Sequence, residues 1–445
     1  MRILHVGWGY PPTWLGCGPV VYVHHLALAQ KEAGDHVVVA CASDQRADGR
    51  PAYDPAVAGV DGIPYVHLRN RPVHMHDWWH PEREASDPQC AAAIEHVVRE
   101  VGPDVVHVHN VVGLSFDVLR VAQRLGSRVV VSLHNYLPIC SRDNLFFADA
   151  ERCEGPMARS CSRCLGTMIG DDAYRARLQA AVDALNGCDR LLAVSARVAE
   201  LYAAQGVRPE LLVVDHIASP AAGRLWDEIG RERVRRAANG AAATPHDPGT
   251  KTVPPLRLVF FGALTRHKGV MTLLQAVRHL ARPELVDVHI YGWVDQADVP
   301  VLQAAIETCS PRHAGRLHFE GPFTQDSLRQ SLPSMDVAVL TPRWDDNGPQ
   351  TVMEALGAGL PVVATRVGGI PDFVHHGENG LLVEEGDAAA LAAALDRLAS
   401  DRHLVEQLRA GIDAPISMAT HVESLAGHYR LEPAGLQAQV AAAPG

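Results

Sequence analysis

The most restrictive feature of this chain is a pattern that starts twice. Arg2–Gly7 is a short apolar, strand-like run, followed by a glycine-bearing loop (Gly9, Gly16, Gly18) and a helix-periodic stretch through Val20, Val23, Leu26 and Leu28. Leu256–Gly262 repeats the opening. A polar loop and Gly269 follow it, then Val270, Leu273, Leu274, Val277 and Leu280 at helical spacing. Each opener leads into alternating strands and helices. The first half offers strands at His36–Cys41, Ile63–Leu68, Asp104–His109, Arg128–Leu133 and Arg190–Val194. The second offers Val286–Tyr291, Arg316–Phe319, Asp336–Thr341 and Pro361–Thr365. Short Val/Ile/Leu-rich strands between helices imply parallel sheets covered on both faces. The expected fold class is α/β, with two Rossmann-like, doubly wound domains over 1–220 and 221–411. The segment 237–255, with four prolines and two glycines, reads as a linker or surface excursion, and 432–445 as a tail.

Charge and hydropathy narrow the function. Forty basic against 51 acidic residues give a net charge of −11, and no basic block stands out, so a nucleic-acid footprint is missing. The longest purely apolar runs, such as Ala388–Leu395, fall far short of the ~20 residues of a membrane span. The first residues lack a signal-peptide core and read directly as a strand. A cytoplasmic location is expected, with the nine cysteines reduced or ligating metal.

Ligands of doubly wound sheets sit at the carboxyl ends of the strands, which selects three loops. Gly9–Gly18 lets a backbone approach a ligand beside a helix N-terminus, but it lacks the GxGxxG dinucleotide pattern. Gly262–Gly269 (GALTRHKG) carries Lys268 where a strand ends and a helix begins, a place suited to a diphosphate. The chain has only three lysines (Lys31, Lys251, Lys268), so generic surface filling is a poor explanation. Trp344–Ala355 (WDDNGPQTVMEA) places Asp346 in a loop and Glu354 inside the next helix, which begins near Pro349. Two carboxylates there suit sugar and ribose hydroxyls; the plainer reading is that Asp345 and Asp346 complement a helix dipole.

Together these loops, with GAGLPVVATRVGGIPDFV (Gly357–Val374), DVVHVHN (Asp104–Asn110), SLHNY (Ser132–Tyr136), LLAVSARVAELY (Leu191–Tyr202) and ENGLLVEEGD (Glu378–Asp387), resemble the family-four retaining glycosyltransferases of group 1. The resemblance spans about residues 1–430. It implies the GT-B fold, two Rossmann-like doubly wound domains facing a central cleft, with the last helix (412–431) packing back on the first domain. It implies that Glu354 binds the nucleotide ribose, that Lys268 meets the diphosphate, and that Asp346, in place of the family's glutamate, faces donor-sugar hydroxyls. Asn347 and Gly348 join the donor-binding set, Gly16 and Gly18 lie under the diphosphate and sugar, and His134 sits beside the transferred sugar. Many members carry an arginine where this chain has Ala263; Arg266 is the residue that would compensate.

His134 ends a buried-looking strand. His107 and His109 are expected to point to opposite faces of theirs, leaving His109, at the carboxyl end, as the one directed at ligand. Arg71–Pro81 (RPVHMHDWWHP) offers Trp78 and Trp79 either to stack on a sugar or cationic acceptor or to plug a loop. Cys140, Cys153, Cys161 and Cys164, spaced C-x12-C-x7-C-x2-C within the insert 140–164, suit a structural zinc on four thiolates, in a segment with little to build a core. Disulfides, an iron–sulfur cluster and free thiols are the other readings. A subset of the resembling enzymes carries a similar insert.

The expected function is transfer of a sugar, with retention, from a UDP- or GDP-sugar to a soluble small-molecule acceptor, without catalytic metal. The leaving diphosphate oxygen helps to deprotonate the acceptor in this family. The alternatives are a cell-envelope enzyme acting on a lipid-linked or polysaccharide acceptor and an inactive relative that only binds nucleotide sugar.

Overall fold

The computed structural model describes residues 1–11, 18–42, 59–68, 79–147, 151–155, 158–240, 254–294, 299–309 and 316–431. The chain divides into two compact units, Met1–Ala218 with Ser417–Gly445, and Ser219–Ile416.

The first unit holds β1 (Arg2–Gly7), β2 (His36–Ala42), β3 (Tyr65–Leu68), β4 (Val105–Val108), β5 (Arg128–Leu133), β6 (Arg190–Ala193) and β7 (Leu212–Val214). They form one parallel sheet in the order β3-β2-β1-β4-β5-β6-β7. The chain walks outward from β1 to β3, then returns to the other side of β1, so the switch point lies between β1 and β4. The helix Pro88–Val101 shows how local sequence makes such a layer. Asp87 accepts from the amides of Gln89 and Cys90, Pro88 fits the first turn, and Gly102 ends the helix at φ +55°. Its buried residues, Cys90, Ala93, Ile94, Val97 and Val98, form one apolar stripe. The helix Met418–Arg430 packs on the helix Gly18–Glu32 and on β5.

The second unit repeats the plan with β8 (Leu256–Phe261), β9 (Val286–Tyr291), β10 (Leu317–Gly321), β11 (Val337–Leu340), β12 (Val362–Thr365) and β13 (Gly380–Val383), in the order β10-β9-β8-β11-β12-β13. Its pairs are all parallel, and the switch point falls between β8 and β11. Successive residues of β8 feed opposite cores. Leu258 and Phe260 pack with Leu273, Val277 and Leu395, whereas Val259 and Phe261 pack with Val352 and Ala355. Each such side chain contributes about 1.5–3 kcal/mol of burial, which is why both faces need helices.

Two strands were not anticipated, β7 and β13. β7 is three residues long with no fully buried position, and β13 directly follows the turn at Glu378–Asn379; each owes its place to the strand it pairs with, β6 and β12. The third strand is also shorter than expected. It starts at Tyr65, because Ile63 is drawn into an antiparallel bridge with Val60. Within the supposed linker, the helix Arg231–Ala238 runs into its first residues, while 241–253 lie outside the described residues, as does the tail 432–445.

Candidate active site

In the second unit the loops leaving β8 and β11 meet at the switch point. Gly269 caps the helix Val270–His279 at φ +77°, and a Cβ there would lie 1.6 Å from the carbonyl oxygen of Thr341. Only glycine permits that approach. The hydroxyl of Thr341 donates to the Gly269 carbonyl at 2.9 Å, so the two loops are riveted together. Lys268, just before the glycine, is thereby aimed at the second loop. Its Nζ lies 2.7 Å from Asp346 Oδ2 and 4.9 Å from the centroid of the Trp344 ring. Asp346 is itself held by Gly369, whose amide donates to its carbonyl at 2.6 Å. Gly368, at φ +56°, has no room for a Cβ, which would meet the Asp346 backbone at 2.3 Å. A small open pocket lies here, lined in part by Gly262, Lys268, Thr341, Asp346, Pro349 and Thr351.

Glu354 lies in the helix Gln350–Gly357 and is buried. Burial pushes its carboxyl up to about 7, against a 3.1 Å bond from the Gln325 amide nitrogen that favours the anion. Such a carboxyl changes protonation near neutrality.

Lys268 and Asp346 are brought into direct contact as an ion pair. Separate partners had been expected for them, a diphosphate and a sugar. Asn347 is buried and Gly348 half-buried between Asp346 and Pro349, whereas Arg266, on the turn of Lys268, is exposed. Glu354 is not among the residues lining the pocket. Gly18 is the exposed first residue of the helix Gly18–Glu32; Gly16 lies outside the described residues, as do Arg71–Trp78. Trp79 is 54% exposed. Sequence reasoning missed Gln325 and Trp344 as neighbours of the two carboxylates, since no local pattern links them.

In the first unit, the carboxyl ends of β1, β4 and β5 carry a row of histidines. His107 and His109 do not point to opposite faces. Their ring centroids are 4.0 Å apart, because residues two apart in a strand share a face. His5 of β1 is in register with His107 and joins the same face. Every ring nitrogen of the three has a partner. His5 Nε2 meets Gln30 Oε1 at 2.6 Å, and His5 Nδ1 meets His109 Nε2 at 2.9 Å. His107 meets the Tyr429 hydroxyl at 2.7 Å and the Ser132 hydroxyl at 2.8 Å. His109 Nδ1 meets His134 Nε2 at 3.1 Å. Burial lowers all four, His5 to about 4 and His134 to about 3, so these rings are neutral at pH 7. His134 is 7% exposed and lies edge-on to Tyr22. Arg177, buried and paired with Glu84, donates to the carbonyls of Leu137 (2.7 Å) and Pro138 (3.3 Å) and so anchors the loop after His134. Nothing in the spacing pointed to it.

Cys140, Cys153, Cys161 and Cys164 line one small pocket, and none is in a disulfide. The Gly155 amide donates to the Cys153 sulfur at 3.4 Å, and the amides of Leu145 and Arg142 bond to that of Cys140. Cys161 and Cys164 lie in the short helix Cys161–Leu165. Among the described residues, the group of three whose ligand atoms all lie within 4.8 Å of one another is His5, His107 and His109; the cysteines form no such group.

Two family models match the chain. "Glycosyltransferase Family 4" covers residues 17–216 and "Glycosyl transferases group 1" covers 255–401. Glycogen synthase of Mycobacterium tuberculosis is 25% identical over 410 residues, 90% of this chain and 86% of that protein. A D-inositol 3-phosphate glycosyltransferase of Streptomyces bingchenggensis is 29% identical over 236 residues, 51% of this chain and 49% of that protein. Anabaena HepE, solved in complex with UDP, superposes with a TM-score of 0.65 at 16% identity, over 97% of this chain and 100% of that one. Sucrose-phosphate synthase of Thermosynechococcus elongatus gives 0.66 at 18% identity, over 99% and 100%. With two parallel sheets of the same winding, and with family models matching both halves, the chain belongs to the family-four, group 1 glycosyltransferases of GT-B fold.

Proposed function

We propose that this protein transfers a glycosyl group, with retention of configuration, from a nucleoside-diphosphate sugar to a small soluble acceptor. The observation that carries this reading is the cation held at the switch point of the second sheet: Lys268, paired with Asp346 beside the N-terminus of the helix Val270–His279. Negative charge developing on a departing diphosphate is stabilised there by an ammonium and by helix amides. Asp346 gives up Lys268 to the diphosphate and turns to sugar hydroxyls. Glu354 accepts the ribose hydroxyls, Arg266, Asn347 and Gly348 complete the donor contacts, and Gly16 and Gly18 lie against the diphosphate. His134 meets the transferred sugar. The donor base is uracil or guanine; HepE, whose fold this chain shares, was solved with UDP. No step of this scheme draws on a metal ion.

The test is direct. Lys268→Ala should lower kcat by on the order of 10²–10³, the scale of one lost transition-state charge contact. Lys268→Arg should rescue only in part, since a planar fork does not replace a compact ammonium. Near-normal turnover in Lys268→Ala would remove the assignment. The anomeric coupling of the product, read by NMR, decides retention. The lipopolysaccharide core biosynthesis glycosyltransferase LpsE of Rhizobium meliloti is 32% identical over 149 residues, 33% of this chain and 40% of that protein, which supports a polysaccharide acceptor as the second reading. Sedimentation with liposomes and an acceptor screen separate the two.

We propose further that the thiols of Cys140, Cys153, Cys161 and Cys164 close on one structural zinc. Burial pushes the Cys153 thiol up and that of Cys140 to about 11, and the amide N–H groups directed at both sulfurs offset this only in part, so the charge of a bound zinc would have to favour the thiolates. Four protein ligands leave no position for substrate.

A further inference from the structure

The histidine row ends at an amide, and that end determines the state of the whole row. The Gln30 amide nitrogen donates to the Tyr429 hydroxyl at 3.0 Å, so the amide oxygen is the atom facing His5. An oxygen there accepts only, which puts the proton of His5 on Nε2 and leaves its Nδ1 as an acceptor. His109 must then donate from Nε2 and accept at Nδ1. His134, whose Nε2 faces that acceptor, is the donor of the last bond. We infer that Gln30 is a positioning residue: through His5 and His109 it holds His134 as the neutral Nε2–H tautomer, with a fixed ring orientation. The inference rests on the reading that His134 meets the transferred sugar, because that is where a fixed tautomer acts.

Two further observations support a lock of this kind. Gln30, His5, His107 and His109 are all nearly or fully buried, so no water competes for the bonds. An amide does not take up a net proton, so the Gln30 end of the row offers no outlet for charge. A second proton on His5 or His109 would set one N–H against another unless the bonds beyond it reversed. A metal ion on His5, His107 and His109, whose nitrogens lie close enough for one, would have to displace bonds that already engage all six ring nitrogens. The row is a hydrogen-bonded lock and not an ion site.

The experiment is long-range ¹H–¹⁵N NMR on the full chain labelled in histidine, with the His134 signals assigned by difference from His134→Ala. Wild type should show His134 neutral and protonated on Nε2 at pH 7. Gln30→Glu keeps the shape but supplies a carboxylate, which stabilises a doubly protonated His5. His5 Nδ1–H then donates to His109 Nε2, His109 donates from Nδ1, and His134 is driven to the Nδ1–H tautomer three rings away. Gln30→Leu removes the anchor and should leave His134 a mixture of tautomers. In both variants kcat should fall by about tenfold or more with donor KM little changed, the split expected when a group acts only in the transition state. A wild-type Nδ1–H tautomer would overturn the inference, as would an unchanged His134 spectrum in folded Gln30→Glu and Gln30→Leu. Inversion of the tautomer with normal turnover would uphold the lock and take His134 out of the chemistry, so the earlier reading fails separately.

Discussion

At the residue scale, Glu354 is the group whose environment says most about its use. Burial raises its carboxyl from 4.5 to about 7, so the folded protein holds this proton where the unfolded chain releases it. A raised carboxyl gives stability that is fully present below the unfolded value and lost as pH climbs towards 7. A rise from 4.5 to about 7 corresponds to roughly 3 kcal/mol at most. Glu354→Gln should therefore melt with wild type at pH 4 but above it at pH 8, in scanning calorimetry without ligand. Ribose hydroxyls donate to the anion, so nucleotide affinity of wild type should tighten between pH 6 and 8, and the glutamine variant should bind more weakly with no such slope. Calorimetric titration with UDP and GDP reads both. Equal affinity in the two proteins would exclude the ribose role.

At the element scale, the inner strands of the first sheet carry an acid liability. His5, His107, His109 and His134 are neutral when folded, with values lowered by burial, and take up protons when unfolded. Lowered basic groups give stability that is present above their unfolded value of 6.5 and lost as pH falls below it. Four such groups approach a slope of roughly 5 kcal/mol per pH unit once the unfolded rings are charged. Urea denaturation from pH 7 to 4.5 should show that steep loss. His107→Asn, at equal starting stability, should remove about a quarter of it. The cysteine loop makes a different demand. Asp143 and Leu145 sit at φ +65° and +49°, in the left-handed region that side chains avoid, so something must hold the turn. Metal analysis of protein purified without chelator should find about one zinc per chain, and Cys161→Ser should lose metal and melt earlier. Metal-free protein that is fully folded, with four titratable thiols, would dispose of the zinc.

At the scale of the whole molecule, each unit has its own sheet and its own buried core, so unfolding is not expected to be one two-state event. Calorimetry should resolve two transitions. Saturating nucleoside diphosphate should raise chiefly the one that belongs to Ser219–Ile416, where Lys268 and Glu354 reside. At 100 times its dissociation constant a ligand adds about 2.7 kcal/mol. Equal shifts in both transitions would give the first unit, with Gly16, Gly18 and His134, as large a share of the donor contacts as Lys268 and Glu354.

The doubly wound architecture was legible in the sequence because it depends on local regularities. Apolar runs of strand length, helical spacing after each and a glycine at each turn determine an α/β chain with two similar halves. That Lys268 and Asp346 stand on loops leaving strand ends was also legible, since the apolar runs that precede those loops can be read directly. What the tertiary structure decided was who meets whom. The Lys268–Asp346 pair spans 78 positions, Gln30 to Tyr429 spans 399, and no local pattern encodes either. The faces of His107 and His109 were misread, and His5 and Gln30 drew no notice, because a single histidine in a strand looks the same whether it meets solvent, core or another ring. Only pairing in register, with a helix from the far end of the chain laid across, turns such residues into one buried row. The physical reason is range. Periodicity acts within a turn or a pleat, whereas hydrogen bonding in a dry interior depends on which distant segments the fold brings together.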